Sequence, residues 1–198
     1  MREGQLLEDL RALGHVHAPG GVLRNVLNEL GLGDQYATLA TPLGGVFVAW
    51  NKRGFSAVMR TATAEEFEAL FVERFGRPVE PASDVPPETS RQFDLRGLTE
   101  FERAVLLKAL EIPRGEIRTY GWIAAQIGRP AAVRAVGTVL RKNPVPVLIP
   151  CHRVVRSDGH LGQYALGGTD AKRRILAAEG VDADDIVHII KRTRAVAV

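Results

Sequence analysis

Cysteine is nearly absent: the 198 residues hold one, Cys151. A single thiol cannot close an internal disulfide, which fits a reducing, cytoplasmic setting. It also excludes a zinc site built on cysteines, and neither metal nor cofactor is expected. No apolar run approaches the roughly 18 residues that a membrane helix needs, so no membrane partner is expected. The opening MREGQLLEDL is charged and lacks the apolar centre of a signal peptide. Internal repeats and low-complexity tracts are missing too. What remains is 45% hydrophobic, ordinary for a chain that buries a core. Its length suits one large domain or two small ones.

Charge is present but unevenly spread. Residues 91–198 carry 18 Lys+Arg against 11 Asp+Glu, a net +7, whereas residues 1–90 carry 8 against 12, a net −4. The half that holds the cysteine is the basic half. An anionic partner, nucleic acid first, would account for this. A solvated basic surface accounts for it equally well.

The patterning divides the chain. Residues 1–33 read as two short amphipathic helices around the breaker HAPGG, with His15 and His17 as loop residues. In VFVAWNKRGF, Val46, Val48 and Trp50 alternate with Phe47 and Ala49 before an NKRG turn, which predicts a hairpin in a small antiparallel sheet. TAEEFEALFVERFG predicts a helix with a Thr63/Glu66 capping box, a face of Phe67, Leu70 and Phe71, and a stop at Gly76. Four prolines in residues 77–92 mark a linker. Beyond it, Thr99 and Glu102 form a second capping box, and Thr119 caps a helix reaching Ile127. Gly128 then turns the chain, and Pro130 suits the first position of another helix running to about Lys142. Two short helices around a glycine turn predict a helix-turn-helix, although many helical hairpins bind nothing.

Two features of this half could carry chemistry. Arg134 stands among Ala131, Ala132, Ala135 and Gly137, so one arginine rises from a face of small residues that another surface could approach closely. The plainer alternative packs those small residues against the preceding helix. The second feature is PVPVLIPCHRVV, where Cys151 and His152 follow Pro144, Pro146 and Pro150. Apolar neighbours raise a thiol's pKa, so a nucleophilic Cys151 needs a base. Adjacent side chains on a strand diverge, so His152 serves only from an irregular turn or through a relaying water. Glu179 is one carboxylate that could orient the histidine. A lone buried cysteine is otherwise an inert small hydrophobe.

These motifs together closely resemble a known family. NPVPVLIPCHRVV resembles the active-site signature of the O6-alkylguanine-DNA alkyltransferases, or methylated-DNA–protein-cysteine methyltransferases. TYGWIAAQIGRPAAVRAVGTVLRKN resembles their helix-turn-helix, and GQY and AAEG follow in order. The likeness is strong over residues 93–181 and weaker over 36–76. It implies an α+β fold: a small N-terminal antiparallel-sheet domain (34–80), a linker (81–92), and a mostly helical domain for DNA binding and alkyl transfer (93–198); the helical extension (1–33) lies outside the likeness and rests on its amphipathic pattern alone.

The resemblance also implies roles. Cys151 would take the alkyl group from O6 of guanine, His152 would be its base through a water, and Glu179 would hold His152. Asn143 would tie the second helix to the cysteine loop, and Tyr120 would help rotate the nucleotide. Arg134 would fill the gap left by the flipped base. Thr119, Ala132, Ala135 and Gly137 would lie against the DNA, with Arg141 at a phosphate. Tyr164 and Ala165 would line the base pocket. The partner would be double-stranded DNA carrying alkylated guanine, with O4-alkylthymine as a second substrate, bound by a monomer. Departures from the family pattern are Ala165, Val133, Leu107 and one extra residue in YALGG. Two other readings stay open: a non-catalytic helix-turn-helix binder of damaged DNA, and a Cys-His hydrolase, for which no oxyanion motif stands out.

Overall fold

The computed structural model describes residues 33–87 and 92–196, with side chains as far as Lys191. The two helices expected within residues 1–33, with His15 and His17, thus fall outside the described residues.

Strands β1 (Asp34–Thr41), β2 (Gly44–Asn51) and β3 (Gly54–Met59) form an antiparallel meander. Val46 and Val48 point to one face of β2 and Phe47 and Ala49 to the other, as strand periodicity requires. The NKRG turn is braced by Asn51 Oδ1, which accepts from the Arg53 amide at 2.8 Å. Gly54 is obligatory there: its φ is 118°, and a Cβ would stand 2.1 Å from the Gln92 carbonyl oxygen.

Helix α1 (Ala64–Phe75) crosses one face of this sheet. Thr63 caps it by accepting from the Glu66 amide, and Gly76 ends it in the left-handed conformation. Glu66 reaches back to the amide of Ala62 rather than Thr63. Phe67 and Phe71 are buried against Tyr36, Ala49 and Ala57, but Leu70, expected on the same face, is 41% exposed. Strand β4 (Val79–Pro81) follows and pairs parallel with β1, giving the order β3-β2-β1-β4. The sheet is therefore not wholly antiparallel. The α1 crossover makes a parallel pairing reachable, and the edge position tolerates Pro81.

The other face of the sheet contributes Val46, Val48, Phe55 and Val58 to the main core. That core continues into α2 (Glu100–Leu110), α3 (Tyr120–Gln126) and α4 (Val133–Arg141). Hydrogen bonds cross between the two parts: Phe55 N to Gln92 O, Asp94 N to Phe55 O, and Val58 N to Pro144 O, each 2.8 Å. A buried polar cluster adds to them. Asp34 accepts from Ser56, Asn51 and Arg77, and Asp94 from Asn51 and Arg96. Burial works against the Asp94 carboxylate, but its bonds from Arg96 and Asn51 outweigh that and bring its pKa down to about 2.

The Thr99/Glu102 capping box closes the start of α2, and the Thr119 hydroxyl accepts from the Trp122 amide at the start of α3. The turn after α3 is longer than expected. Pro130 does not open α4; it lies in the turn, and the helix begins at Val133. The amides of Arg129 and Ala132 bond to Ala124 O and Arg129 O, so the chain completes another loop before turning helical. Beyond the cysteine segment, β6 (Val154–Val155) pairs in parallel with β5 (Arg118–Thr119), the two residues before α3, and α5 (Gly168–Ala178) and α6 (Ile186–Val196) follow. A smaller core of Ile117, Val155, Leu161, Leu176, Val181, Ile186 and Ile190 joins these last elements.

Candidate active site and nucleic-acid interface

The cysteine loop is held open by one side chain. Asn143, 3% exposed, donates to the Ile149 carbonyl at 3.0 Å and accepts from the Val145 amide at 3.0 Å. Between these contacts Val147 has φ 76°, the one positive φ at a non-glycine among the described residues. For a β-branched residue this costs about 1–3 kcal/mol, so the surrounding bonds over-determine the loop. The loop then enters a 3₁₀ turn over Cys151–Arg153. The backbone here is thus an irregular turn rather than a strand, so Cys151 and His152 are not forced to opposite faces.

Cys151 is 4% exposed and belongs to the main core. Burial pushes its thiol pKa up, while the Asn143 side-chain hydrogen bond and the Lys172 charge pull the other way. His152 is 1% exposed, and burial lowers its pKa despite Glu179, so the ring is neutral at pH 7. Its Nε2 lies 3.2 Å from Glu179 Oε1. An ionised carboxylate can only accept, so Nε2 carries the hydrogen and Nδ1 holds the free lone pair. Nδ1 is buried and has no hydrogen-bond partner among the described residues.

Glu179, the C-cap of α5, is shared. Arg153 donates to both of its oxygens, at 2.9 and 2.7 Å, and to the Ile112 carbonyl at 2.6 Å. Burial opposes the carboxylate charge, but the bonds from His152 and Arg153 prevail and set its pKa at about 2.

The tyrosines complete the pocket. The Tyr164 ring meets His152 edge-on, with centroids 6.0 Å apart. Its hydroxyl is buried without a full hydrogen bond, although the Val147 amide approaches it. Tyr120 opens α3, and burial, then the nearby Cys151, raises its pKa. Gly162 permits this placement, since a Cβ there would be 2.9 Å from the Tyr120 hydroxyl. Lys172 is buried beneath the ring at 5.8 Å and donates to the Val154 and Leu161 carbonyls, each at 2.6 Å. Burial brings its pKa down to about 8.

Outside this pocket lies a cavity of about 750 Å³, walled by Tyr120, Trp122, Val133, Arg134, Gly137 and Ile190 among others. Ala135 and Arg134 are exposed on α4, so the small residues do not all pack against α3. A Cβ at Gly137 would sit 3.8 Å from the Tyr120 ring, an ordinary contact; internal packing alone therefore does not demand glycine. Arg141 stands apart from Arg134, about two turns along α4. It lines a second cleft with Arg60, Arg74, Lys142 and Ala165.

Structure thus brings Cys151, His152, Glu179, Asn143, Tyr120 and Tyr164 around one point. Arg134, Thr119 and Gly137 line the neighbouring cavity that Tyr120 also borders, Ala132 is the N-cap of α4, and Ala165 and Arg141 face the separate cleft.

Residues 100–181 match the family model described as 6-O-methylguanine DNA methyltransferase, DNA binding domain. A methylated-DNA–protein-cysteine methyltransferase of Methanosarcina barkeri is 36% identical over 152 residues, covering 73% of this chain and 96% of that protein. The chain belongs to this methyltransferase family. The methyltransferase of Rattus norvegicus is 52% identical over 82 residues, 41% of this chain; the chain spans 39% of that relative's length. A crystal structure of Mycobacterium tuberculosis OGT in complex with DNA is similar at 32% identity, with a TM-score of 0.54 over 77% of this chain and 98% of that one.

Membership in the family explains why the motif residues meet, but two participants went unnoticed in the sequence. Arg153 lies inside the PCHR motif and could have been found there. Lys172 carried no signal, because a lysine on a helix reads as surface.

Proposed function

We propose that this protein repairs DNA by moving an alkyl group from O6 of guanine to Cys151. The observation that carries the reading is the free Nδ1 of His152, buried next to Cys151 while Glu179 holds Nε2. His152 Nδ1 takes the thiol proton, through one water, and the thiolate sulfur attacks the alkyl carbon. The carbon–oxygen bond breaks as the carbon–sulfur bond forms. The electron pair passes to guanine, which gains a proton and leaves unalkylated. Tyr120, beside Cys151, is placed to supply that proton. A thioether carbon is hard to displace, so each molecule acts once.

A base in a duplex cannot reach a thiol that is 4% exposed, so the nucleotide must leave the stack. Arg134, exposed on a face of small residues at the cavity mouth, is suited to occupy the gap in a minor groove. The net +7 of residues 91–198 supplies phosphate affinity. The M. tuberculosis relative solved with DNA supports DNA as the partner. A free catalytic thiol also favours a reducing, cytoplasmic location.

The test mixes the protein with a duplex bearing one O6-methylguanine with a labelled methyl. One label per protein on Cys151, without turnover, is expected. Selective binding of the duplex with no label on Cys151 would leave only a damage sensor.

A further inference from the structure

We propose that the cleft lined by Arg60, Arg74, Arg141 and Lys142 holds the DNA backbone by its phosphates, so that the N-terminal part of the chain takes part in binding; this rests on the DNA-repair reading above. The matched family model spans residues 100–181 and includes neither Arg60 nor Arg74. Residues 1–90 are net acidic, yet the two arginines that they bring here line one cleft.

The cleft holds about 780 Å³. Arg60 follows β3, Arg74 lies in the last turn of α1, and Arg141 and Lys142 end α4. All four are exposed, and no carboxylate lines the cleft among the described residues. Two of the four are engaged. Arg74 Nη2 donates to the Lys142 carbonyl at 3.2 Å, which ties α1 to the end of α4. Bonds from Thr99, and after them the Lys142 charge, lower the pKa of Glu102, so Lys142 already has an acidic neighbour. Arg60 and Arg141 have no ion-pair or hydrogen-bond partner among the described residues. Cations gathered without a counter-charge repel, and guanidinium groups suit phosphate oxygens.

The cleft also lies along the exposed face of α4. Arg141 is seven positions after Arg134, which in a helix is about 20° short of two turns and about 10 Å along the axis. The two arginines therefore share a face, and a duplex laid along it to admit Arg134 runs on to the cleft. Ala165, Leu166 and Gly167, directly after Tyr164, form another wall. A Cβ at Gly167 would stand 3.5 Å from Arg60 Nη1, so Arg60 reaches the loop that carries Tyr164. That contact gives Arg60 a second, purely structural role that the test must separate.

The test compares the full chain with Arg60→Gln and with Arg53→Gln, a control that removes one exposed charge from the NKRG turn, outside the cleft. Duplex binding is measured from about 50 to about 200 mM salt, alongside melting temperature and the rate of Cys151 alkylation by free O6-benzylguanine. Each lost phosphate contact lowers the salt slope by about 0.9, so over this fourfold range the affinity of Arg60→Gln should fall about 3.5-fold less than that of the parent. Arg141→Gln should do the same, and Arg53→Gln should leave the slope as it is. An equal drop in slope with Arg53→Gln would overturn the proposal, since it would report net charge alone. An unaltered slope with Arg60→Gln would overturn it too. A lowered melting temperature or slower alkylation by the free base, which has no phosphate, would then leave Arg60 as a prop for the Tyr164 loop. If the unaltered protein binds no duplex, the DNA reading itself fails.

Discussion

Replacing Glu179 with glutamine keeps the side chain's shape and removes its charge. Glu179 holds Arg153 through both oxygens and His152 through one, and its pKa is about 2 against 4.5 in an unstructured chain. A carboxylate with a depressed folded pKa stabilises the fold fully above its unfolded value, and that stability is lost as pH falls through the folded value. The difference of about 2.5 units corresponds to about 3 kcal/mol at pH 7. At pH 3 the unfolded chain is already protonated there while the folded chain is mostly not, and about 1 kcal/mol remains. Urea unfolding of both proteins at pH 7 and pH 3 reads this directly. Glu179→Gln should cost about 3 kcal/mol at pH 7, and the gap should narrow to about 1 kcal/mol at pH 3. Transfer should slow as well, since an amide can present an N–H to His152 Nε2 and spoil the tautomer that leaves Nδ1 free. A stability gap that stays constant across this pH range would refute the reasoning, because it would mean the carboxylate's charge contributes nothing.

Two further substitutions probe the loop and the mouth of the pocket. Asn143→Ala removes both bonds that hold the cysteine loop and leaves a buried carbonyl and amide unpaired, for an expected loss of roughly 3 kcal/mol; chemical denaturation measures it, and a loss below 1 kcal/mol would show the loop to be held otherwise. Gly162→Ala places a Cβ 2.9 Å from the Tyr120 hydroxyl at a φ of 74°, so single-turnover transfer should slow at least tenfold while the thiol still reacts with small reagents; an unchanged transfer rate would show that Tyr120 is not held by this contact.

Local rules made much of the fold legible. Capping residues at Thr63, Thr99 and Thr119 mark helix starts because an unpaired amide must find an oxygen within reach along the chain. The alternation of Val46 and Val48 with Phe47 and Ala49 marks a two-faced strand for an equally local reason. The motif around Cys151 revealed the chemistry through residue order. Local rules erred where a competing contact lay elsewhere. Pro130 suited a helix start, but the backbone bonds of Arg129 and Ala132 delayed it. Leu70 fitted the apolar face of α1, but Phe67 and Phe71 already cover the sheet.

By itself the sequence singled out Cys151 as the candidate nucleophile, two helices around a turn, and the basic character of the half that holds both. Only the tertiary structure decided how the thiol is surrounded. His152 and Glu179 lie 27 positions apart, and their meeting depends on α5 packing over the 3₁₀ turn. Lys172 is a cation that solvation would place outside; two backbone carbonyls hold it inside, beneath Tyr120. The parallel edge strand β4 likewise depended on where α1 delivered the chain. Periodicity and capping act over a few residues, whereas burial is settled by which distant surfaces meet.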